Sequence, residues 1–180
     1  MFVDHIAILT ADLRRQSDAL PTFCTKQPIE TFPAEGTQEQ YLTLSARSPS
    51  LLLIQAIAEG PYRRALRKRG PGLHHIGFKT PALEAQVSQL CAQGLQLHPI
   101  SSQTSAQGVS WLYLPGMPFL IELAEDPDAV EHDLMEIGIP TASGLPDIVA
   151  DLSPKLGFYV VATDSLELKT GKQHLVLPCF

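Results

Sequence analysis

Two histidines and one glutamate stand where a duplicated chain could gather them around a cation: His5, His75 and Glu122. His5 lies in Asp4-His5-Ile6-Ala7-Ile8, with Thr10 five residues on, and His75 lies in His74-His75-Ile76-Gly77-Phe78, with Thr80 five residues on. The shared pattern makes the two histidines equivalent positions of two equivalent strands. Glu122 follows His75 by 47 residues and sits in the apolar run Phe119-Leu120-Ile121-Glu122-Leu123, and Leu52 follows His5 by the same 47 residues. A carboxylate buried in such a run is costly unless it is paired or bound to a cation. A single histidine in an apolar strand is usually a hydrogen-bonded core residue. Three positions obeying one repeat point instead to a shared divalent transition metal, since imidazole and carboxylate together suit Fe, Zn, Co, Ni or Mn. Strand alternation puts His74 on the face opposite His75, and His74 is the alternative ligand in place of His75.

The elements that must carry these residues follow the repeat. Residues 1–57 read as one βαβββ module. Val3 to Leu9 is its first strand, and Asp12 offers an N-cap for a helix that carries Leu13, Ala19, Leu20 and Phe23. Lys26 to Phe32, Gln40 to Ala46 and Leu51 to Ile57 supply three further strands. Residues 58–72 connect, with Gly60-Pro61 and Gly70-Pro71-Gly72 as breakers. Residues 73–125 repeat the order, with Pro81 at a helix start, Gly94 closing that helix, and strands at Leu95 to Pro99, Val109 to Leu114 and Phe119 to Glu125. A third strand signature, Met135-Glu136-Ile137-Gly138-Ile139, opens a truncated βαβββ module over 133–179, its helix expected at 143–152. Trp111 and Tyr113 share one face of the strand before Glu122, where they either pack the core or line a substrate pocket. The fold class expected is α+β, built of tandem modules.

Bulk properties narrow the partners. An apolar fraction of 44% with 18% charged residues describes a globular protein. A net charge of -6 argues against nucleic acid, whose phosphates demand a basic face. The basic run Arg63-Arg64-Ala65-Leu66-Arg67-Lys68-Arg69 is local: a solvated helix face, or a clamp for an anionic substrate tail. Cys24, Cys91 and Cys179 have no metal-knuckle or disulfide spacing. No apolar run is long enough to span a bilayer, and the chain opens directly on a strand, so no membrane partner and a cytoplasmic location are expected.

Three segments together carry a resemblance: Asp4-His5-Ile6-Ala7-Ile8, then Arg69-Gly70-Pro71-Gly72-Leu73-His74-His75-Ile76-Gly77-Phe78, then Phe119-Leu120-Ile121-Glu122-Leu123. Over about residues 1–125 the chain resembles the vicinal oxygen chelate superfamily of glyoxalases, bleomycin-resistance proteins and extradiol dioxygenases, and its Gly-Pro-Gly-Leu-His-His-Ile segment is most similar to the methylmalonyl-CoA epimerase branch. The resemblance implies a glyoxalase-like curved mixed sheet. It also implies His5, His75 and Glu122 as metal ligands, with Glu122 among the catalytic groups. The fourth ligand of the family falls, by the repeat, at Leu52, which cannot coordinate. Gln55 is the nearby polar candidate for the substrate or the ion, through a bulge. Glu35 and Glu39 are the candidates for the base.

The implied activity is lyase or isomerase chemistry on a small carbonyl compound with adjacent oxygens. One alternative is a non-haem Fe(II) dioxygenase, which uses two histidines and a carboxylate with open positions. The other is a resistance-type protein that binds a ligand without catalysis. Modules of this superfamily close a groove in pairs. A third module leaves an apolar face that would bury itself in a homodimer, or fold back as a lid on its own chain.

Overall fold

The computed structural model describes residues 1–117, 119–129, 133, 135–140, 158–163 and 165–177. The first unit runs β1 (Phe2–Thr10), α1 (Leu13–Asp18), β2 (Thr25–Lys26), β3 (Glu30–Phe32), β4 (Thr37–Thr43) and β5 (Ser50–Ala56). Helix α2 (Pro61–Arg69) joins it to β6 (Gly72–Thr80), α3 (Leu83–Ala92), β7 (Gln96–Leu97), α4 (Ser101–Thr104), β8 (Val109–Tyr113) and β9 (Leu120–Glu125). Asp12 caps α1 as expected, accepting the Arg15 N–H at 3.0 Å. The strand expected from Lys26 to Phe32 is two short strands, because Pro28 cannot donate to a ladder.

Both units lie in one sheet of order β2-β4-β5-β1-β6-β9-β8-β7, with β3 also paired to β4. Each leading strand runs parallel to the last strand of its own unit, β1 with β5 and β6 with β9. The two leading strands meet antiparallel at the centre of the sheet. The repeat arithmetic holds in the register: Ala7 pairs with Leu52, and Gly77 pairs with Glu122. The sheet is therefore the mixed, curved platform of a glyoxalase-like α+β fold.

The two faces of this sheet have different covers. Ile6, Ile8, Ile76, Phe78, Ile121 and Leu123 face outward into the main core, with Leu13 of α1 and Leu90 of α3. The inner face holds Ala7, Leu9, Leu52 and Ile54, covered by Tyr62, Ala65 and Leu66 of α2. Helix α2 is thus amphipathic by role: its apolar side closes the inner face of unit one, and Arg67 on the other side pairs with Glu59 at 2.6 Å.

The C-terminal strands β10 (Met135–Pro140), β11 (Phe158–Thr163), β12 (Glu167–Thr170) and β13 (Gln173–Val176) form a second sheet of order β11-β10-β12-β13. Its leading strand is parallel to the strand that follows and antiparallel to the next. In units one and two the leading strand is parallel to the last strand instead. Among the described residues of the third copy expected over 133–179, the strand motif forms β10, and the sheet pairing differs from that of units one and two. The helix expected over 143–152 lies outside the described residues. Met135, Ile137, Phe158, Leu168 and Leu175 share the main core with Ile6, Phe78 and Phe119, so the apolar side of this second sheet is buried within the chain. Of the two expectations for the third module, a homodimer or a fold-back on its own chain, the described residues show it packed on the core of its own chain. No helix among the described residues is long and apolar enough to cross a membrane.

Candidate metal centre

Strands β1, β6 and β9 deliver His5, His75 and Glu122 to one point on the inner face. His5 Nε2 lies 3.0 Å from His75 Nε2. Glu122 Oε2 lies 3.1 Å from His75 Nε2 and 3.9 Å from His5 Nε2. Among the described residues these three offer ligand atoms that converge closely enough to hold one ion. Bonds of about 2.1 Å at right angles set donor atoms about 3.0 Å apart, and two of the three separations match. The donor set, two imidazoles and one carboxylate, is the chemistry a divalent transition metal requires. The residues present fit the group.

The charges around the triad are mutually arranged. Burial pushes the Glu122 carboxyl up, but the His75 hydrogen bond and the nearby histidines outweigh it, so its pKa falls below the ordinary value. Burial pushes Asp4 up as well, and the His5 hydrogen bond with the charges of His5 and Lys79 brings it below the ordinary value. Burial pulls His75 down, partly offset by Glu122. Burial also pulls His74 well down, helped by His75, Arg69 and His98. Both histidines are therefore held neutral, the form that ligates.

His74 stands elsewhere than alternation predicts. A register shift separates the pairs Ala7 with His75 and Ile8 with Leu73, so His74 is an extra residue in β6. Its Nδ1 lies 2.9 Å from His75 Nδ1, and its ring packs at a tilt against Tyr62, with centroids 4.9 Å apart. Asp4 is the matching extra residue in β1, and its Oδ2 accepts from His5 Nδ1 at 2.8 Å.

The remaining expected site residues separate. Leu52 is buried on the inner face, where its Cα partner across the ladder is Tyr41. Gln55 is not near the ion site: its Oε1 accepts the Leu13 N–H at 2.8 Å at the start of α1. The correction has a simple cause, since three residues along β5 from Leu52 is an odd step and reverses the face. Glu39 is buried on β4, and its Oε1 accepts the Thr37 hydroxyl at 2.8 Å. Burial raises the Glu39 carboxyl, Thr37 opposes, and Glu35, His5 and Glu122 all act on it. Glu35 is raised by burial of its carboxyl and by Glu122, with a Tyr62 hydrogen bond opposing. Tyr41 approaches His5 edge-on at 6.0 Å, and burial with four neighbouring carboxylates pushes its phenol up to about 12. Sequence reading missed Tyr41 and Tyr62. Period-2 alternation from Glu39 could have found Tyr41.

Trp111 pairs across the ladder with Glu122 and meets the His75 ring edge-on at 4.9 Å. Tyr113 is farther out and donates its hydroxyl to Gln96 Oε1 at 2.7 Å on the edge strand. A groove of about 1050 Å³ between α3 and the α4–β8 region, lined by Leu83, Ser101 and Ser110 among others, holds none of the triad.

The buried neutral histidines give the metal-free protein an acid sensitivity. The unfolded chain takes up protons on His74 and His75 as the pH falls through about 6.5, while the folded chain resists until a lower pH. Stability contributed by each is full above that value. It is lost on acidification by up to about 1.4 kcal/mol per pH unit. Glu35 and Glu39, raised in the fold, act in the opposite direction. The expected result is therefore a difference: His74→Asn should flatten the acid limb of urea-unfolding free energy relative to the metal-free parent. An identical slope would mean that His74 is charged in the fold.

Residues 4–113 match the family described as the glyoxalase/bleomycin resistance protein/dioxygenase superfamily. The uncharacterized Bacillus subtilis protein YqjC is 28% identical over 138 residues, covering 73% of this chain and 96% of the relative. Methylmalonyl-CoA epimerase from Mycobacterium tuberculosis is 23% identical, covers 69% of this chain and 87% of its own, and superposes with a TM-score of 0.52. The Streptomyces coelicolor methylmalonyl-CoA epimerase in complex with 2-nitronate-propionyl-CoA is 22% identical, with 70% and 97% covered and a TM-score of 0.54. At such identities the likeness to both epimerases is one of fold. With more than half of its length matched, and with its duplicated units laid out as that fold requires, the chain belongs to the glyoxalase/bleomycin resistance protein/dioxygenase superfamily.

Proposed function

We propose that the chain is a metal-dependent, glyoxalase-like lyase or isomerase acting on a small carbonyl compound with adjacent oxygens. The observation that carries the reading is the convergence of His5, His75 and Glu122 on the inner face that also holds the buried Glu39. A divalent ion bound by the three would offer open positions to two substrate oxygens and stabilise negative charge developing on them.

The chain's own residues supply the rest. Glu39 is the group that accepts a proton from the carbon beside the carbonyl. Its raised pKa brings it closer to working pH, which favours a general base. The Thr37 hydroxyl orients it. Glu35, linked to Tyr62, is the second candidate for a proton at this site. Leu52 and Ile54, under Tyr62, Ala65 and Leu66, make a dry wall on one side, and Trp111 stands over His75 on the other.

The expected result is exchange of an α-proton into solvent. Metal-loaded protein in deuterium oxide should wash the α-proton out of a member of a panel of small acyl thioesters and 2-oxo acids, read by proton NMR. Glu39→Gln should lower that rate by about 10²-fold with metal content unchanged. No exchange with any divalent metal would end the lyase or isomerase reading. One observation favours a second reading: with Leu52 in the fourth position the donors are two histidines and one carboxylate, the set of Fe(II) dioxygenases. Selective retention of iron with oxygen uptake on a catechol would establish it.

A further inference from the structure

Each ligand histidine is preceded by a residue that the sheet has forced out of alternation. In β1 the ladder with β6 passes from Val3 opposite Phe78 to His5 opposite Gly77, which leaves Asp4 unmatched. In β6 it passes from His75 opposite Ala7 to Leu73 opposite Ile8, which leaves His74 unmatched. A bulge of this kind re-aims a side chain that a regular strand would send through to the other face. The outcome is the same in both strands. Asp4 Oδ2 accepts from His5 Nδ1 at 2.8 Å, and His74 Nδ1 meets His75 Nδ1 at 2.9 Å. In both cases the contact engages Nδ1 and leaves Nε2, the atom aimed at the common point, to its neighbours in the triad.

We propose that Asp4 and His74 are paired positioning residues, placed by one duplicated strand bulge, that fix His5 and His75 in the tautomer presenting Nε2 to the ion. The inference rests on the metal reading of the triad. For His5 to present its Nε2 lone pair, Nδ1 must carry the proton, and a carboxylate is the acceptor for it. Asp4 is held for that task by Lys79 Nζ at 3.2 Å, which also reaches Asp126 at 3.3 Å. For His75 the same requirement makes Nδ1–H the donor and His74 Nδ1 the acceptor. His74 is buried, and its ring packs against Tyr62 at 4.9 Å, which fixes its orientation. The two supports are chemically unequal. An anionic acceptor strengthens the basicity of His5, whereas a neutral imidazole orients His75 without adding charge.

The test uses the full-length protein and cobalt(II) as the probe. Cobalt affinity is measured by competition with a chelator, and exchangeable imidazole N–H resonances, shifted by the paramagnetic ion, are counted by proton NMR. The parent should show two such resonances. Asp4→Ala and His74→Leu should each weaken cobalt binding by about 10–100-fold and remove or broaden one resonance. Asp4→Asn and His74→Asn, which keep an acceptor oxygen, should recover part of both. Circular dichroism and urea midpoints identify any variant that has unfolded, and the acceptor-retaining pair keeps the test decisive if a truncated one does. Unchanged affinity and unchanged resonances in all four variants would overturn the inference while the metal reading stands. That reading is tested separately by Glu122→Ala: if the parent binds no cobalt, or binds it as well without Glu122, both fall.

Discussion

Gly77→Ala should sharply weaken divalent-metal binding while leaving the protein folded. Gly77 lies directly opposite His5 in the central ladder, and the His5 ring rests over it. A methyl group there would sit 2.5 Å from His5 Nδ1 and 2.7 Å from Nε2. No heavy atom tolerates such an approach, and the Tyr41 ring stands edge-on to the imidazole at 6.0 Å. The imidazole must swing away, losing both the Asp4 hydrogen bond and its place in the triad. A four-ligand zinc site is worth about 10–16 kcal/mol, or roughly 2.5–4 per ligand, so losing one donor weakens binding by about 10²–10³-fold. The outward neighbours Ile6, Ile76 and Phe78 are untouched, so the urea midpoint should barely move. A double-mutant cycle isolates the cause: in a His5→Ala background, Gly77→Ala should have almost no further effect on metal affinity. Full affinity in Gly77→Ala would show that His5 is not pinned in this way.

That glycine also marks where sequence reading succeeds and where it stops. The correspondence of His5 with His75, and of Leu52 with Glu122, was legible because duplication fixes spacing, and the pairs Ala7–Leu52 and Gly77–Glu122 show it in the register. The family's curved sheet followed from the resemblance of three segments, Asp4 to Ile8, Arg69 to Phe78 and Phe119 to Leu123. The roles of Asp4 and His74 were hidden because alternation assumes a regular ladder, and each sits at a bulge. Gln55 was offered to the site on the strength of such a bulge, and there the ladder is regular: Thr10 pairs with Gln55 in step with the pairs before it. A single strand does not reveal where a neighbouring strand will slip, so the two cases look alike in sequence. The strand motif at Met135 to Ile139 was legible and forms β10, but the pairing of β10 with β11 and β12 is decided by the core that distant strands must share.

Phe158→Ala should destabilise the protein by about 3–5 kcal/mol, the cost of deleting a large buried aromatic. Phe158 is 1% exposed and sits at the seam between the two sheets, with ring centroids 5.8 Å from Phe78 and 6.4 Å from Phe119. Against a total stability of about 5–15 kcal/mol, this is a large share held by one side chain of the C-terminal sheet. Urea unfolding should show one transition with a lower midpoint and an unchanged slope, because the two sheets unfold together around one core. Phe158→Leu, which keeps most of the volume, should cost less than half as much. Metal affinity at low urea should change far less than in Gly77→Ala, since Phe78 points away from the triad on the outer face. A loss below about 1 kcal/mol would mean that the seam contributes little, and that the C-terminal sheet is held by other contacts. The expected outcome gives the third strand motif its physical role. Glu136, at the position of the two histidines, pairs with Lys169 at 2.8 Å. Ile137, Phe158, Leu168 and Leu175 bury the outer face of the two units, and the inner face carries the candidate triad.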